Sequence, residues 1–273
     1  MADLTEPILP GRGATDYERY LRTDELLALQ KTPAEVTHRD EHLFQTVHQS
    51  SELWLKLACI ELEAAAVLID QSAAAGGAVR LIRRASDAMS LVTEHLHMLE
   101  HMSPVDYAAV RTALGHGAGF DSPGFRQVHR VAPTLAAAFS RALERRSVSL
   151  LALYERSHEH EDLYQLAEQL TTFDERTIVW RFIHLKVVER IIGANVIGTQ
   201  GTPVEVLGKR IDVRFFPDVW HVRDEITRRS KLGADGHGMD EDRRPARGDG
   251  VQPGEAGPPS ASERGWGPAS GKK

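Results

Sequence analysis

The stretch from residue 41 to residue 70 constrains the fold most, because neither proline nor glycine interrupts it. Its large apolar side chains follow the 3.6-residue period of a helix and form one wide face. They are Phe44, Val47, Leu53, Leu55, Leu57, Ile60, Leu62 and Leu68. A helix of this length must bury that face, so the rest of the chain has to supply elements that pack against it.

Most of the remaining chain also follows helical patterns. Helices are predicted over 15–29 and 79–102, from 104 to about 114, from 122, across 133–170 with one or two breaks, and over 175–192 after a start at Phe173 and Asp174. The best strand pattern is a short apolar alternation over 204–213. The predicted fold class is therefore all-α.

The composition divides the chain into three parts. Residues 1–14 form an N-terminal arm, 15–230 form one helical domain, and 231–273 form a tail dominated by Gly, Pro, Ser and charged residues. We expect this tail to be disordered, because it has too few large apolar residues to offset the entropy lost on ordering.

The charge balance and the cysteine content exclude several classes of protein. The formal net charge of −6 favours neither nucleic acid nor an anionic membrane as a partner. The sequence has no recognisable signal peptide and no apolar run long enough to span a bilayer. Its single cysteine, Cys59, is typical of the reducing cytoplasm. We expect a soluble cytoplasmic protein.

The most informative histidine lies on the last long helix. At helical spacing, His184 shares a face with Val187, Val188 and Ile191. A histidine on an apolar face is most commonly a core residue bonded to a backbone carbonyl. The same placement suits an axial ligand of haem iron, and the spacing alone does not decide between the two.

Two further pairs, each one helical turn apart, could bind an aromatic amino acid. Phe44 and His48 could form an aromatic wall with a base that holds a ring N–H. Tyr107 and Arg111 combine a phenol with a guanidinium, which suits a carboxylate. In both cases an ordinary structural role is commoner.

The other histidines give a weaker alternative, a non-haem metal site. They are His95, His97, His101, His158 and His160. Although Glu94, His97 and His101 are spaced to share one helix, no matching carboxylate–histidine set recurs on another helix, as a di-iron bundle would require. A solvated helical face is the simpler interpretation.

Seven sequence blocks can be compared with known families: Tyr17 to Leu27, Asp40 to Phe44, His48 to Leu57, Ser103 to Gly115, Gly119-Phe120, Trp180 to His184, and Phe216 to Arg223. Taken together, these blocks resemble the tryptophan 2,3-dioxygenase superfamily, whose members are histidine-ligated haem oxygenases. The resemblance covers roughly residues 15 to 225, with a poorly matched middle. It implies a helical bundle that encloses a b-type haem.

The resemblance also implies a role for each residue around the haem. His184 would be the proximal iron ligand, and His48 the distal histidine that faces the indole N–H. Phe44 and Leu114 would line the indole pocket. The substrates would be O2 and L-tryptophan or a related aromatic amino acid.

Other implied roles concern the substrate's polar end and the assembly. Tyr107 and Arg111 would bind the substrate carboxylate. Tyr17, Tyr20 and Leu21 would reach into a neighbouring subunit's pocket, which implies a homotetramer with shared sites.

Two departures from the family pattern bear on the reaction. The family's Gly-Thr-Gly-Gly-Ser loop is replaced by 198–203, in which Thr199 is the candidate substrate-binding threonine, and Gln200 and Pro203 make the loop bulkier and stiffer. The stretch between Phe120 and Trp180 is also shorter than usual. The expected reaction is dioxygenation to N-formylkynurenine. The alternatives are a monooxygenase that inserts one oxygen into an aromatic amino acid and a haem sensor without turnover.

Overall fold

The computed structural model of the chain describes residues 6–71, 75–198 and 201–230. Ten α-helices occur in that part of the chain: α1 Asp16–Leu21, α2 Thr23–Leu27, α3 Glu41–Gln71, α4 Gly76–Leu99, α5 Pro104–Ala113, α6 Pro123–Arg145, α7 Leu150–Glu155, α8 Glu161–Ile192, α9 Glu205–Gly208 and α10 Pro217–Arg229. Single 3₁₀ turns lie at Gly119–Asp121 and Ser157–Glu159. The only β-type pairing among the described residues is an isolated bridge between Ile197 and Pro203. The all-α prediction is confirmed.

The long helix α3 is central to the bundle. It packs against both α4 and α6, and α4 in turn packs against α8. Leu62, Ile82 and Leu166 are fully buried between these helices, and burying a side chain of this size stabilises the fold by about 1.5–3 kcal/mol. Small residues such as Ala65 and Ala85, also fully buried, let neighbouring helices approach closely.

A second, smaller core cluster lies beside the candidate site. Its buried members are Val47 from α3, Leu96 and Leu99 from α4, and Val187 and Ile191 from α8. The aromatic residues Phe44, Tyr107 and Trp180 pack against it and are half-buried. This cluster therefore holds α3, α4 and α8 in register where the candidate site residues project.

Two predicted helix boundaries are wrong. The N-terminal helix is split into α1 and α2 at Arg22, which takes a left-handed conformation with φ of 54°. Helix α8 begins at Glu161 and runs without a break past Phe173 and Asp174, where a new start was predicted. Asp174 is not a cap, because its carboxylate instead accepts hydrogen bonds from residues that precede and begin α10.

The alternation over 204–213 does not form a strand. It forms the short helix α9 followed by turns. Pro133 lies inside α6, which begins at Pro123 after its cap Ser122, as predicted. For residues 204–213, apolar spacing alone could not distinguish a helix from a strand, because a short apolar run fits a buried helical turn as well as a strand.

The termini are described only in part. Residues 6–14 of the predicted arm are tied to α1, since the backbone N–H groups of Ile8 and Leu9 donate to the Asp16 carboxylate. The predicted tail, 231–273, lies outside the described residues. None of the described helices is long and apolar enough to cross a membrane.

Candidate functional site

A cavity of about 380 Å³ lies where α3, α4, α5, α6 and α8 meet the loop that leads into α9. This volume falls within the range of ligand pockets, roughly 300–1,000 Å³. Five of the residues singled out in the sequence line it: Phe44, His48, Tyr107, Leu114 and His184. Residues that lie far apart in the chain are therefore brought to one site.

On one side of the cavity, stacked aromatic rings orient His184. Its imidazole lies parallel to the Trp180 indole, with ring centroids 5.0 Å apart and an interplanar angle of 8°. Phe125 packs against the same indole at 3.9 Å. A Cβ atom added at Gly119 would lie 4.0 Å from His184 Nε2, so this nitrogen faces the turn at Gly119.

The surroundings of His184 favour its neutral form. Burial, the larger effect, and the nearby His48 together lower the pKa of His184 to about 4. At neutral pH the imidazole therefore carries no charge, and this is the form that binds a metal ion.

His48, which also lines the cavity, has a defined tautomer. Its ring stacks on Phe44, with centroids 3.9 Å apart, and its Nδ1 lies 2.7 Å from the Phe44 carbonyl oxygen. A carbonyl only accepts, so Nδ1 carries the proton and the Nε2 of neutral His48 is an acceptor. The side chain has exposed surface because it faces the cavity, yet protein packed around it lowers its pKa by desolvation.

The predicted carboxylate receptor is only half within the cavity. Tyr107 lines it, with its ring centroid 6.2 Å from that of Phe44. Arg111 is one turn further along α5, is half-buried and does not line the cavity. Its guanidinium has no carboxylate partner among the described residues.

The remaining predicted residues lie away from the cavity or outside the described residues. Tyr17, Tyr20 and Leu21 on α1 are 70%, 78% and 45% exposed and do not line the cavity. Thr199 lies outside the described residues. The described ends of its loop do border the cavity, where Gly198 N donates to Thr202 O at 2.8 Å.

The alternative non-haem metal site is not supported. Within the described ranges, no group of three or more His, Cys, Asp or Glu side chains could hold a metal ion. His97 pairs with Glu100 at 2.8 Å, and His95 contacts the Ser50 hydroxyl at 3.1 Å. These histidines have local structural partners.

Comparison with known proteins agrees with the sequence blocks. A sequence profile described as tryptophan 2,3-dioxygenase matches residues 8–132. The tryptophan 2,3-dioxygenase of Shewanella woodyi is 31% identical over 261 residues, covering 77% of this chain and 90% of the relative. The corresponding enzyme of Polaromonas naphthalenivorans is 32% identical, with 78% and 92% coverage, and that of Myxococcus xanthus is 30% identical, with 79% and 91% coverage.

The chain belongs to the tryptophan 2,3-dioxygenase family. The profile match includes the His48 side of the cavity and the α5 pair of Tyr107 and Arg111. His184 lies beyond the matched residues, so its place in the same cavity as His48 comes from the fold.

Two features of this member of the tryptophan 2,3-dioxygenase family were not predicted. The first is Glu52, one turn after His48, whose carboxylate accepts from Ser122 Oγ at 2.5 Å and from Gly124 N at 2.9 Å. It holds the start of α6 against α3. Glu52 follows the helical spacing of His48, but nothing in the sequence indicated its partners.

The second feature is a group of basic side chains on the cavity wall, here called the basic cluster. It consists of Arg126, His129, Arg181 and Arg210. The spacing offered a partial signal, since Arg126 and His129 are three residues apart on α6, and Arg181 precedes His184 by three residues on α8. Arg210 follows α9 in a turn, where periodicity carries no information.

Proposed function

We propose that this protein is a haem-dependent oxygenase that oxidises the indole C2–C3 bond of L-tryptophan or a substituted tryptophan with O2, giving N-formylkynurenine by dioxygenation. One observation carries the proposal: a neutral His184 and an acceptor His48, stacked on Phe44, line the same cavity. The relatives named tryptophan 2,3-dioxygenase support the same reaction.

The residues of the cavity fit a haem group. Its lining is mostly apolar, as a porphyrin requires, and His184 offers a neutral nitrogen. Trp180 lines the cavity, and its buried Nε1 has no acceptor among the described residues, which a polar group of the cofactor would satisfy. The absence of a side chain at Gly119 keeps the space before His184 Nε2 open. When bound, haem supplies the iron at which dioxygen is activated.

The chain's own residues would hold and orient the substrate. Phe44 and Leu114 would contact the indole, and His48 Nε2 would accept its N–H. His48 acts here as a positioning hydrogen-bond partner, because the indole N–H is a weak acid. The apolar part of the wall would shield that hydrogen bond from water and so strengthen it.

The polar end of the amino acid would be held from α5 and from the loop after α8. The Tyr107 hydroxyl and the Arg111 guanidinium would bind the carboxylate, with Arg111 turning into the cavity from its half-buried position. Thr199 would contribute from the loop. Fixing both ends of the substrate places the C2–C3 bond at a single position, which lowers the entropy cost of the reaction.

Isotope labelling tests the reaction directly. The ferrous, haem-loaded protein is incubated with L-tryptophan under labelled dioxygen, and the product mass is measured. Two labelled oxygen atoms in N-formylkynurenine are expected. A product with one labelled oxygen would contradict dioxygenation and identify a monooxygenase, whereas haem binding with no turnover of tryptophan or its substituted forms would identify a sensor.

We further propose that four copies assemble with shared sites. Tyr17, Tyr20 and Leu21 expose apolar surface on α1, which a neighbouring subunit's pocket would cover. A tetramer by light scattering is expected. Co-assembly of Tyr20→Ala chains with His184→Ala chains tests the sharing, because mixed tetramers would regain part of the activity that each variant lacks alone.

A further inference from the structure

The cavity has a marked charge asymmetry. Three arginines line it, whereas no Asp or Glu does so among the described residues. Arg126, His129 and Arg210 of the basic cluster are exposed, and Arg181 is half-buried, so the cluster lies towards solvent. The inner wall is apolar, with Leu96, Leu99, Met102, Val187 and Ile191.

Two guanidinium groups of the basic cluster donate to backbone carbonyl oxygens. Arg126 donates to the backbone carbonyl of Asp121 at 2.6 Å, and Arg181 donates to that of Val213. Carbonyl oxygens orient a guanidinium without neutralising it. Asp174 offsets part of the charge of Arg181, but its carboxylate is already bonded to the Phe215 and Phe216 N–H groups.

Members of the basic cluster also repel one another. Burial lowers the pKa of Arg181, and the nearby charge of Arg210 acts in the same direction. Burial and the charges of both arginines lower the pKa of His129. An anion bound between these positive charges would offset their mutual repulsion.

We propose that the basic cluster is a carboxylate subsite that binds the propionate groups of the porphyrin. This assignment rests on the proposed haem function and adds the orientation of the cofactor. A porphyrin is a flat apolar ring that carries two carboxylates on one edge. The cavity has the matching distribution, because its inner wall is apolar and its basic residues lie towards solvent. The apolar edge of the ring would therefore contact the inner wall, and the carboxylates would reach the basic cluster. Arg181 and His184 are three residues apart on α8, so one helix supplies both the iron ligand and an anion contact.

Cofactors with and without free carboxylates test this assignment. The haem-free protein is titrated with hemin and with hemin dimethyl ester, and each dissociation constant is obtained from the Soret absorbance. The same titrations are made with Arg210→Gln and with Arg181→Gln/Arg210→Gln. Arg190→Gln is the matched control, because this exposed arginine lies on α8 beside Glu100 and does not line the cavity.

The wild-type protein and the control are expected to bind hemin at least about tenfold more tightly than the ester. The double variant should lose that preference, and its affinity for the ester should stay unchanged. The single variant Arg210→Gln should lose part of the preference for hemin over the ester. Because Arg210 is exposed, this variant should fold and so keeps the test valid if Arg181→Gln unfolds. Equal affinities of the wild-type protein for both cofactors would overturn the assignment and leave the proposed function standing. Failure to bind either cofactor would overturn the proposed function itself.

The substrate also carries a carboxylate, which could bind the basic cluster in place of the porphyrin propionates. A second experiment distinguishes these two ligands. Haem-loaded wild-type and Arg210→Gln proteins are titrated with L-tryptophan and with tryptamine, which lacks the carboxylate. Propionate binding predicts that Arg210→Gln leaves the ratio of the two affinities unchanged. A selective loss of tryptophan affinity, with hemin affinity unchanged, would assign the basic cluster to the substrate and overturn the proposal.

Discussion

The Nδ1 atom of His48 lies 2.7 Å from the carbonyl oxygen of Phe44, one turn earlier on α3. This contact fixes both the orientation and the tautomer of the imidazole, because the carbonyl oxygen can only accept a hydrogen bond. The same turn of helix also stacks the two rings at 3.9 Å. An aromatic wall and a hydrogen-bond acceptor are thus presented to the cavity as one rigid unit.

A substrate analogue without the indole N–H should reveal the acceptor role of His48. In the thiophene analogue of tryptophan, sulfur replaces the N–H group with little change of shape. We expect the wild-type protein to bind it less tightly than tryptophan by about 0.5–1.5 kcal/mol, the usual value of a neutral hydrogen bond. His48→Ala should bind the two ligands equally. If the variant keeps the full difference in affinity, His48 does not contact the indole N–H.

Replacing His184 should remove the cofactor. His184→Ala, expressed with added haem precursor, is expected to purify largely without haem because it lacks the proximal nitrogen. The measurement is the ratio of Soret to protein absorbance. His95→Ala is the control, since His95 contacts Ser50 and does not line the cavity. Normal haem content together with a five-coordinate histidine spectrum in His184→Ala would rule out this ligand.

Arg111 should act on the substrate carboxylate alone. Arg111→Ala is expected to weaken tryptophan binding by about 1.5–3 kcal/mol, the value of a hydrogen bond to a charged group. Tryptamine affinity should change little, because tryptamine has no carboxylate. Unchanged tryptophan binding would exclude Arg111 from the pocket and leave Tyr107 as the carboxylate donor of α5.

The sequence predicted the helices better than it predicted their contacts. The unbroken length of α3 and the Ser122 cap of α6 are local features, and both are observed. The apolar face predicted for α3 is only partly buried, because four of its eight large residues are exposed: Leu53, Leu57, Ile60 and Leu68. The placement of His48 and His184 in one cavity depends on how α3 and α8 are brought together by α4, which no local pattern encodes. Only the family resemblance linked the two histidines in advance.

The errors have the same origin. Asp174 has the residue type of a helix cap, but its side chain accepts hydrogen bonds from Phe215, Phe216 and Trp220, about forty residues later in the chain. The Asp174 side chain therefore makes tertiary hydrogen bonds instead of capping a helix. Arg210 was missed for a similar reason, since a turn residue has no periodic pattern to indicate the wall that it reaches.

The stability of the haem-free protein should depend on pH through His184. The unfolded chain takes up a proton near the ordinary pKa of 6.5, whereas the folded protein resists it down to about 4. Between these values the unfolded state binds more protons, so the free energy of unfolding falls as the pH is lowered from 7.5 towards 5. Carboxylates such as Glu41, with a pKa of about 2, lose their contribution only below about pH 4.5.

Urea unfolding at pH 7.5, 6.5 and 5.5 measures this dependence. His184→Leu is expected to show a shallower slope, because leucine does not titrate. The residual slope comes from His48 and His129, whose pKa values are also lowered. An unchanged slope in the variant would mean that His184 is not held neutral in the haem-free fold.

Gly124 should be essential where α6 meets α3. A Cβ atom at this buried position would lie 2.6 Å from Leu55 Cβ and 2.8 Å from Glu52 Oε2, both closer than real side chains approach. Gly124→Ala must therefore push α6 outwards or break the Glu52 contact with the helix start. Overpacking of this kind costs about 1–3 kcal/mol of unfolding free energy. The wall formed by Phe125 and Trp180 would shift with α6, so haem affinity should fall as well.

The matched control for this prediction is Gly76→Ala at the start of α4. A Cβ atom there meets no described atom within 4 Å, and alanine favours a helix more than glycine does. Thermal unfolding should show a lower midpoint for Gly124→Ala and an equal or higher one for Gly76→Ala. Equal midpoints for both variants and the wild-type protein would mean that α6 can move away from α3 without cost. In that case the Glu52 contact would not be what positions the aromatic wall beside His184.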